Sequence, residues 1–60
     1  MYYIVSHIIG HGSETFEELD NLTDAQHLFS VCIGEGKSSD DEEGIELIND
    51  NHETIDWHQW

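Results

Sequence analysis

The side chains of this 60-residue chain that most readily bind metals are five histidines and one cysteine. His7 and His11 are separated by three residues, but they fall on a predicted strand and on the turn that follows it. Zinc sites use three or four ligands at recognisable spacings, and His27, His52 and His58 are scattered along the chain. The histidines therefore predict no metal site.

Cysteine, carboxylate and glycine patterns predict no catalytic or cofactor site either. Cys32 lies on a predicted apolar helix stripe, where a free cysteine behaves as a small hydrophobic residue, and no nearby cation lowers its pKa. The acidic segment 40–43 lacks the alternating Asp-x-Asp-x-Asp-Gly pattern of a calcium loop. The Gly-x-Gly pairs at 10–12 and 34–36 lack the third glycine of a phosphate-binding loop. We therefore expect a protein that is not an enzyme and holds no cofactor.

The charge balance excludes two classes of ligand. Fourteen acidic residues stand against one lysine, Lys37, and no arginine, which gives a formal net charge of −13. Binding to nucleic acid needs Lys or Arg contacts to phosphates, and anionic membranes attract the same basic residues. Because like charge destabilises a compact state by self-repulsion, so acidic a folded chain suggests that the charge has a use. A solvated acidic surface without a specific partner is the alternative.

Length and composition predict one folded domain, residues 1–60. Hydrophobic residues make up 37% of the chain and aromatic residues 10%, which is unlike a disordered acidic tail. Cys32 has no partner for an internal disulfide. The apolar segment 1–9 is too short to span a membrane and has no basic region before it, so we expect a cytoplasmic protein.

The first half of the chain predicts a strand, an ambiguous element and a helix. β-branched and aromatic residues predict a central strand at 2–9. Segment 14–19 fits either a helical turn or a hairpin partner of that strand, and we favour the strand. Apolar residues recur at helical spacing over 24–34, with Thr23 and Gln26 as a capping box and glycines where a C-terminal cap is wanted.

The second half predicts a hairpin. An acidic loop over 37–44 precedes the alternating pair Ile45 and Leu47, and Ile55 and Trp57 alternate with polar residues after a turn-like segment at 49–52. The predicted fold is α+β: a small antiparallel sheet of three to four strands with one helix packed on one face, in the order ββαββ. The order of the strands within the sheet stays open.

On these elements the acids could imitate a nucleic-acid backbone. Glu17, Glu46 and Asp56 are expected to point away from the helix, if their strands carry apolar residues toward it. Successive residues on one strand face lie roughly 6.5–7 Å apart, a spacing close to that of DNA phosphates along one strand. Such a surface would present carboxylates where a nucleic-acid-binding protein expects phosphates.

In size, acidity and its predicted sheet and helix, the chain resembles the small inhibitors that bacteriophages direct against host nucleases. These are the anti-CRISPR proteins and the DNA-mimic anti-restriction proteins. The resemblance covers the whole chain but includes no shared motif. It implies a stoichiometric inhibitor that occupies the basic channel of a nuclease effector or restriction enzyme in the host cytoplasm.

The expected partner-binding residues combine the acidic cluster, the outward strand acids and the terminal tryptophan: Asp40, Asp41, Glu42, Glu43, Glu17, Glu46, Asp56 and Trp60. By strand phase, Trp57 is expected in the core with Ile55. Trp60 lies on the opposite phase and is either an interface residue or folds back over Tyr2 or Tyr3. The alternative function is a small structural or regulatory interaction module, homodimeric and without DNA mimicry, whose acidity only keeps it soluble.

Overall fold

Four strands form one antiparallel sheet, and a single helix packs on one of its faces. This is the α+β fold predicted above. The computed structural model describes all residues, 1–60. Its elements are β1 (Tyr2–Ile8), β2 (Gly12–Leu19), α1 (Leu22–Glu35), β3 (Glu42–Asn49) and β4 (Thr54–Gln59).

The sheet has the order β2-β1-β3-β4, so β1 and β3 are the inner strands. β1 is central because its apolar residues serve both faces: Ile4 is fully buried under the helix, and Val5 on the other face is only 7% exposed. Segment 14–19 belongs to β2, which confirms the favoured assignment to a strand. β2 forms one edge of the sheet and is exposed along most of its length.

A β-bulge interrupts each of the three strand pairs. The register shifts opposite Ile4 and Val5 in β1–β2, opposite His7 and Ile8 in β1–β3, and opposite Leu47 and Ile48 in β3–β4. Beyond each bulge, the side chains of the bulged strand lie on the face opposite to the one that strict alternation assigns to them. A strict two-residue alternation therefore assigns several of these side chains to the wrong face.

The helix begins earlier than predicted because its N-cap is Asn21, not Thr23. The Asn21 Oδ1 atom accepts a hydrogen bond of 2.9 Å from the backbone N–H of Asp24, and this satisfies a free donor of the first turn. At the other end Gly36 adopts a φ of 90° and donates to the carbonyl of Ile33, a conformation that favours glycine. No helix of the structure has both the length and the apolar character needed to cross a bilayer.

The core lies between the helix and the two inner strands. Its members are Ile4, Ala25, Phe29, Ile45 and Leu47, all at most 2% exposed. The helix contacts β1, β2 and β3 but makes little contact with β4. The opposite face of the sheet, which we call the open face, has no covering layer.

Candidate functional site

The most unusual residue of the structure is Glu42, a buried carboxylate at the start of β3. It is only 5% exposed. Its Oε1 atom accepts hydrogen bonds from the Ser38 backbone N–H at 3.0 Å and from the Trp60 indole N–H at 2.8 Å. Its Oε2 atom accepts from the hydroxyls of Ser6 and Ser38. Four neutral donors thus surround one acid and join the loop, β1 and the C-terminus.

These hydrogen bonds keep Glu42 ionised. Burial opposes the charged form, but the bonds from Ser6, Ser38 and Trp60 outweigh it and hold the pKa of Glu42 below its ordinary value. No cation pairs with this carboxylate, because the ion pairs of the structure are Met1 with Asp50 and His7 with Glu46. The site therefore retains a buried negative charge that is hydrogen-bonded but not neutralised.

Beside Glu42 lies a cavity of about 380 Å³, which we call the end cavity. It opens between the C-terminal end of α1 and the ends of β1, β2 and β3. Its floor is buried and its rim is exposed. The lining combines carboxylates with apolar side chains and includes Glu14, Glu35, Glu42, Phe16, Ile45 and Trp60.

The electrostatic potential around the end cavity favours the binding of a positively charged group. The C-terminal end of a helix carries a partial negative charge, and the last turn of α1 contains no basic residue to offset it. Burial raises the pKa of the Cys32 thiol, which also lines the cavity, and Glu35, Glu17 and Glu42 raise it further. The end cavity is therefore suited to a cation that also carries apolar groups.

The predicted acidic cluster is divided by the structure. Asp40, Asp41 and Glu43 are exposed, as a partner-binding surface requires, but Glu42 is turned inward. The predicted loop over 37–44 is too long, because β3 begins at Glu42. The bulge opposite His7 and Ile8 places Glu42, rather than Glu43, on the helix side of the sheet.

The predicted outward direction is wrong for two of the three strand acids. Glu17 pairs with Ile4 and Asp56 pairs with Leu47, and paired residues of a sheet share a face, so both lie on the helix side. They are exposed there because they stand on the two edge strands, beyond the helix. Only Glu46 lies on the open face, where it accepts a hydrogen bond from Thr54 and contacts His7 at 2.8 Å.

The predicted core position of Trp57 is wrong, and Trp60, for which an interface role and a folded-back position were both open, turns inward. Trp57 is not in the core: it is 41% exposed on the open face, with its ring 5.2 Å from that of His7. Trp60 instead packs against the core on the helix side and lines the end cavity. Trp57 pairs with Glu46, and the bulge opposite Leu47 and Ile48 places it on the open face. The hydrogen bond that the Trp60 indole donates to Glu42 also holds Trp60 on the helix side of the sheet.

Most of the negative charge lies on the surface without a cation. Twelve of the fourteen acidic residues are exposed, all except Glu42 and Glu46. Lys37 forms no ion pair, and the only exposed acid that is paired is Asp50, with the N-terminal amine. The molecule thus presents about eleven unpaired exposed carboxylates to any partner.

Sequence reasoning missed the buried hydrogen-bond group around Glu42 and the cavity beside it. A usable signal was Ser6, the one polar residue in phase with Ile4 and Ile8 on the helix side of β1. A buried hydroxyl needs a hydrogen-bond partner. Ser38 gave no comparable signal, because it lies in a polar segment without periodicity.

No group of three or more His, Cys, Asp or Glu side chains is arranged to hold a metal ion. In comparisons with known proteins, no family model, no curated protein and no solved structure matches this chain.

Proposed function

We propose that this protein is a stoichiometric inhibitor that binds a basic nucleic-acid-binding protein and presents carboxylates in place of phosphates. The partner would be a nuclease effector or a restriction enzyme, as for the anti-CRISPR and anti-restriction proteins that the chain resembles. Such an inhibitor works in the cytoplasm of the host cell and needs neither catalysis nor a cofactor.

The observation that carries this proposal is the unpaired surface charge. About eleven exposed carboxylates have no cation within the molecule, although self-repulsion among them lowers the stability of a small domain. A basic partner would supply the missing cations. Complementary potentials of this kind accelerate association and select against acidic partners.

The placement of the acids supports the same proposal. Glu14 and Glu17 lie on the helix side of β2, opposite Ser6 and Ile4. Glu35 ends the helix next to the end cavity. Carboxylates therefore line the helix side of the molecule at intervals set by a strand, which suits a channel built to hold a nucleic-acid backbone.

Affinity for purified basic nucleases, measured by calorimetry over a range of salt concentrations, tests the proposal. We expect a one-to-one complex whose affinity falls steeply with salt, because the contacts are between opposite charges. A complex whose affinity does not change with salt would contradict the proposal.

Two matched triple variants locate the contact. Replacing Asp40, Asp41 and Glu43 by Asn, Asn and Gln removes three exposed charges near the end cavity. Replacing Glu18, Asp20 and Glu53 by Gln, Asn and Gln removes three exposed charges elsewhere. If the acidic cluster contacts the partner, the first variant weakens binding by at least about tenfold and the second by much less.

A second candidate function is a homodimeric interaction module, and the open face favours it. Trp57 lies half-exposed on that face beside His7, and Ile55, also on β4, is 36% exposed. Exposed apolar patches mark interaction sites. Light scattering distinguishes the two functions: a dimer that Trp57→Ser converts to a monomer supports the module, and a monomeric wild type contradicts it.

A further inference from the structure

We propose that the end cavity is a receptor for one arginine side chain, supplied by a basic partner protein. The inference deepens the proposed function and rests on it for the identity of the partner. The binding chemistry itself is a property of this chain alone, so it can be tested without any partner.

The first argument is the size and shape of the end cavity. Its volume of about 380 Å³ lies within the range of sites that bind small molecules. The buried floor and exposed rim let a side chain enter from outside. An arginine enters head first, with its three-carbon stem against apolar walls and its charged head at the polar end.

The second argument is the chemistry of the lining. Phe16 and Ile8 provide apolar surface for the stem, and Trp60 adds an indole ring on which a guanidinium can stack. Glu14 and Glu35 at the rim add negative charge that attracts the guanidinium into the cavity. A compact, strongly hydrated ammonium would use the aromatic wall less well than a guanidinium does.

The third argument is the uncompensated charge of Glu42. Its oxygens are fully occupied by neutral donors, so a ligand is not required to satisfy them. The negative charge nevertheless remains buried, and no cation of this chain forms an ion pair with it. In a medium of low dielectric this charge attracts a cation more strongly than a surface carboxylate does.

Titration with N-acetyl-arginine amide, followed by NMR of the two indole N–H signals, tests the proposal. The guanidinium is the only charge of this probe. Trp60 lines the end cavity and Trp57 lies on the open face, so one signal reports on the site and the other is an internal control. N-acetyl-citrulline amide, which is nearly the same shape but neutral, is the control ligand.

We expect the Trp60 signal to shift and saturate with the arginine derivative, while Trp57 stays in place and the citrulline derivative has no effect. Equal, non-saturating shifts of both tryptophans would indicate general ionic association and overturn the proposal. An unmoved Trp60 signal would overturn it as well.

Matched variants separate the site from net charge. Glu14→Gln with Glu35→Gln removes the two rim carboxylates and should weaken binding of the arginine derivative by at least about threefold. Glu18→Gln with Glu53→Gln removes the same charge away from the cavity and should leave binding nearly unchanged. Equal weakening by both pairs would contradict a site at the end cavity.

The two proposals can fail separately. If the arginine derivative saturates the Trp60 signal but no basic protein binds, the receptor site stands and the proposed function is wrong. If a basic nuclease binds tightly while the arginine derivative does not shift the Trp60 signal, the proposed inhibitor function is supported and the receptor site is wrong.

Discussion

Glu42 shows how a small acidic domain can hold a charge inside. Full burial of an ionised carboxylate is costly unless hydrogen bonds replace its water. Ser6, Ser38 and Trp60 supply these bonds from three separate parts of the chain. The carboxylate therefore anchors the loop after the helix and the C-terminus to the central strand.

Replacing this one residue should weaken the whole fold. Glu42→Gln puts an N–H donor where Glu42 now only accepts, so some donors among Ser6, Ser38 and Trp60 lose their partner. We expect a loss of about 1–3 kcal/mol in the free energy of unfolding, measured with urea at pH 7. Glu43→Gln, the exposed neighbour, is the control and should change it by no more than about 0.5 kcal/mol.

Lowering the pH should reduce the difference in the free energy of unfolding between the wild type and Glu42→Gln. Because folding lowers the pKa of Glu42 below its ordinary value of 4.5, folding favours the ionised form. Its contribution is complete above pH 4.5 and is lost as the pH falls through the lowered pKa. Urea unfolding of both proteins should show a difference in the free energy of unfolding that is constant near neutral pH and becomes smaller in acid. A gap that stays constant in acid would contradict the role given to the ionised carboxylate.

At the scale of elements, β3 and β4 approach so closely at Gly44 that no side chain fits. A Cβ atom there would lie 2.6 Å from the backbone oxygen of His58 and 2.7 Å from the ring of Trp57. Gly44→Ala should therefore push β4 away and cost about 2 kcal/mol in the free energy of unfolding.

Gly34 supplies the matched control for that prediction. It lies in α1, and a Cβ atom added there would have no other heavy atom within 4 Å. Alanine is also the better helix former by about 0.5–1 kcal/mol. Gly34→Ala should therefore leave stability unchanged or raise it. Equal effects of the two substitutions on the thermal unfolding midpoint would show that the close approach at Gly44 is unimportant.

Local patterns predict the elements of this chain well and their faces poorly. The helix has an apolar period, and the turns contain glycine or asparagine, so the ββαββ order can be predicted from the sequence. The faces of Glu17, Glu42 and Asp56 depend on bulges, which arise from pairing between distant strands. The end cavity depends on those same bulges. The acidity of the candidate site could therefore be predicted from the sequence, but its position could not.

The whole molecule combines a small core with a large unpaired charge. Its longest dimension is 30 Å, close to the Debye length of about 30 Å at 0.01 M salt. At low salt, carboxylates on opposite sides of the molecule therefore still repel one another. Part of its stability is lost to this repulsion.

Added salt should accordingly stabilise the protein when no partner is present. Sodium chloride screens the repulsion at pH 7, so the thermal unfolding midpoint should rise as its concentration increases. The same titration near the isoelectric point of about 4.2 is the control, because the net charge there is close to zero. A midpoint at pH 7 that stays constant or falls would contradict significant self-repulsion.

Competition with DNA tests the central claim most directly. A basic nuclease is loaded with fluorescent DNA, this protein is added, and the anisotropy of the DNA is followed. If carboxylates take the place of phosphates, the protein displaces the DNA stoichiometrically, and added unlabelled DNA displaces the protein in turn. Formation of a ternary complex in which the nuclease holds both ligands would contradict the account.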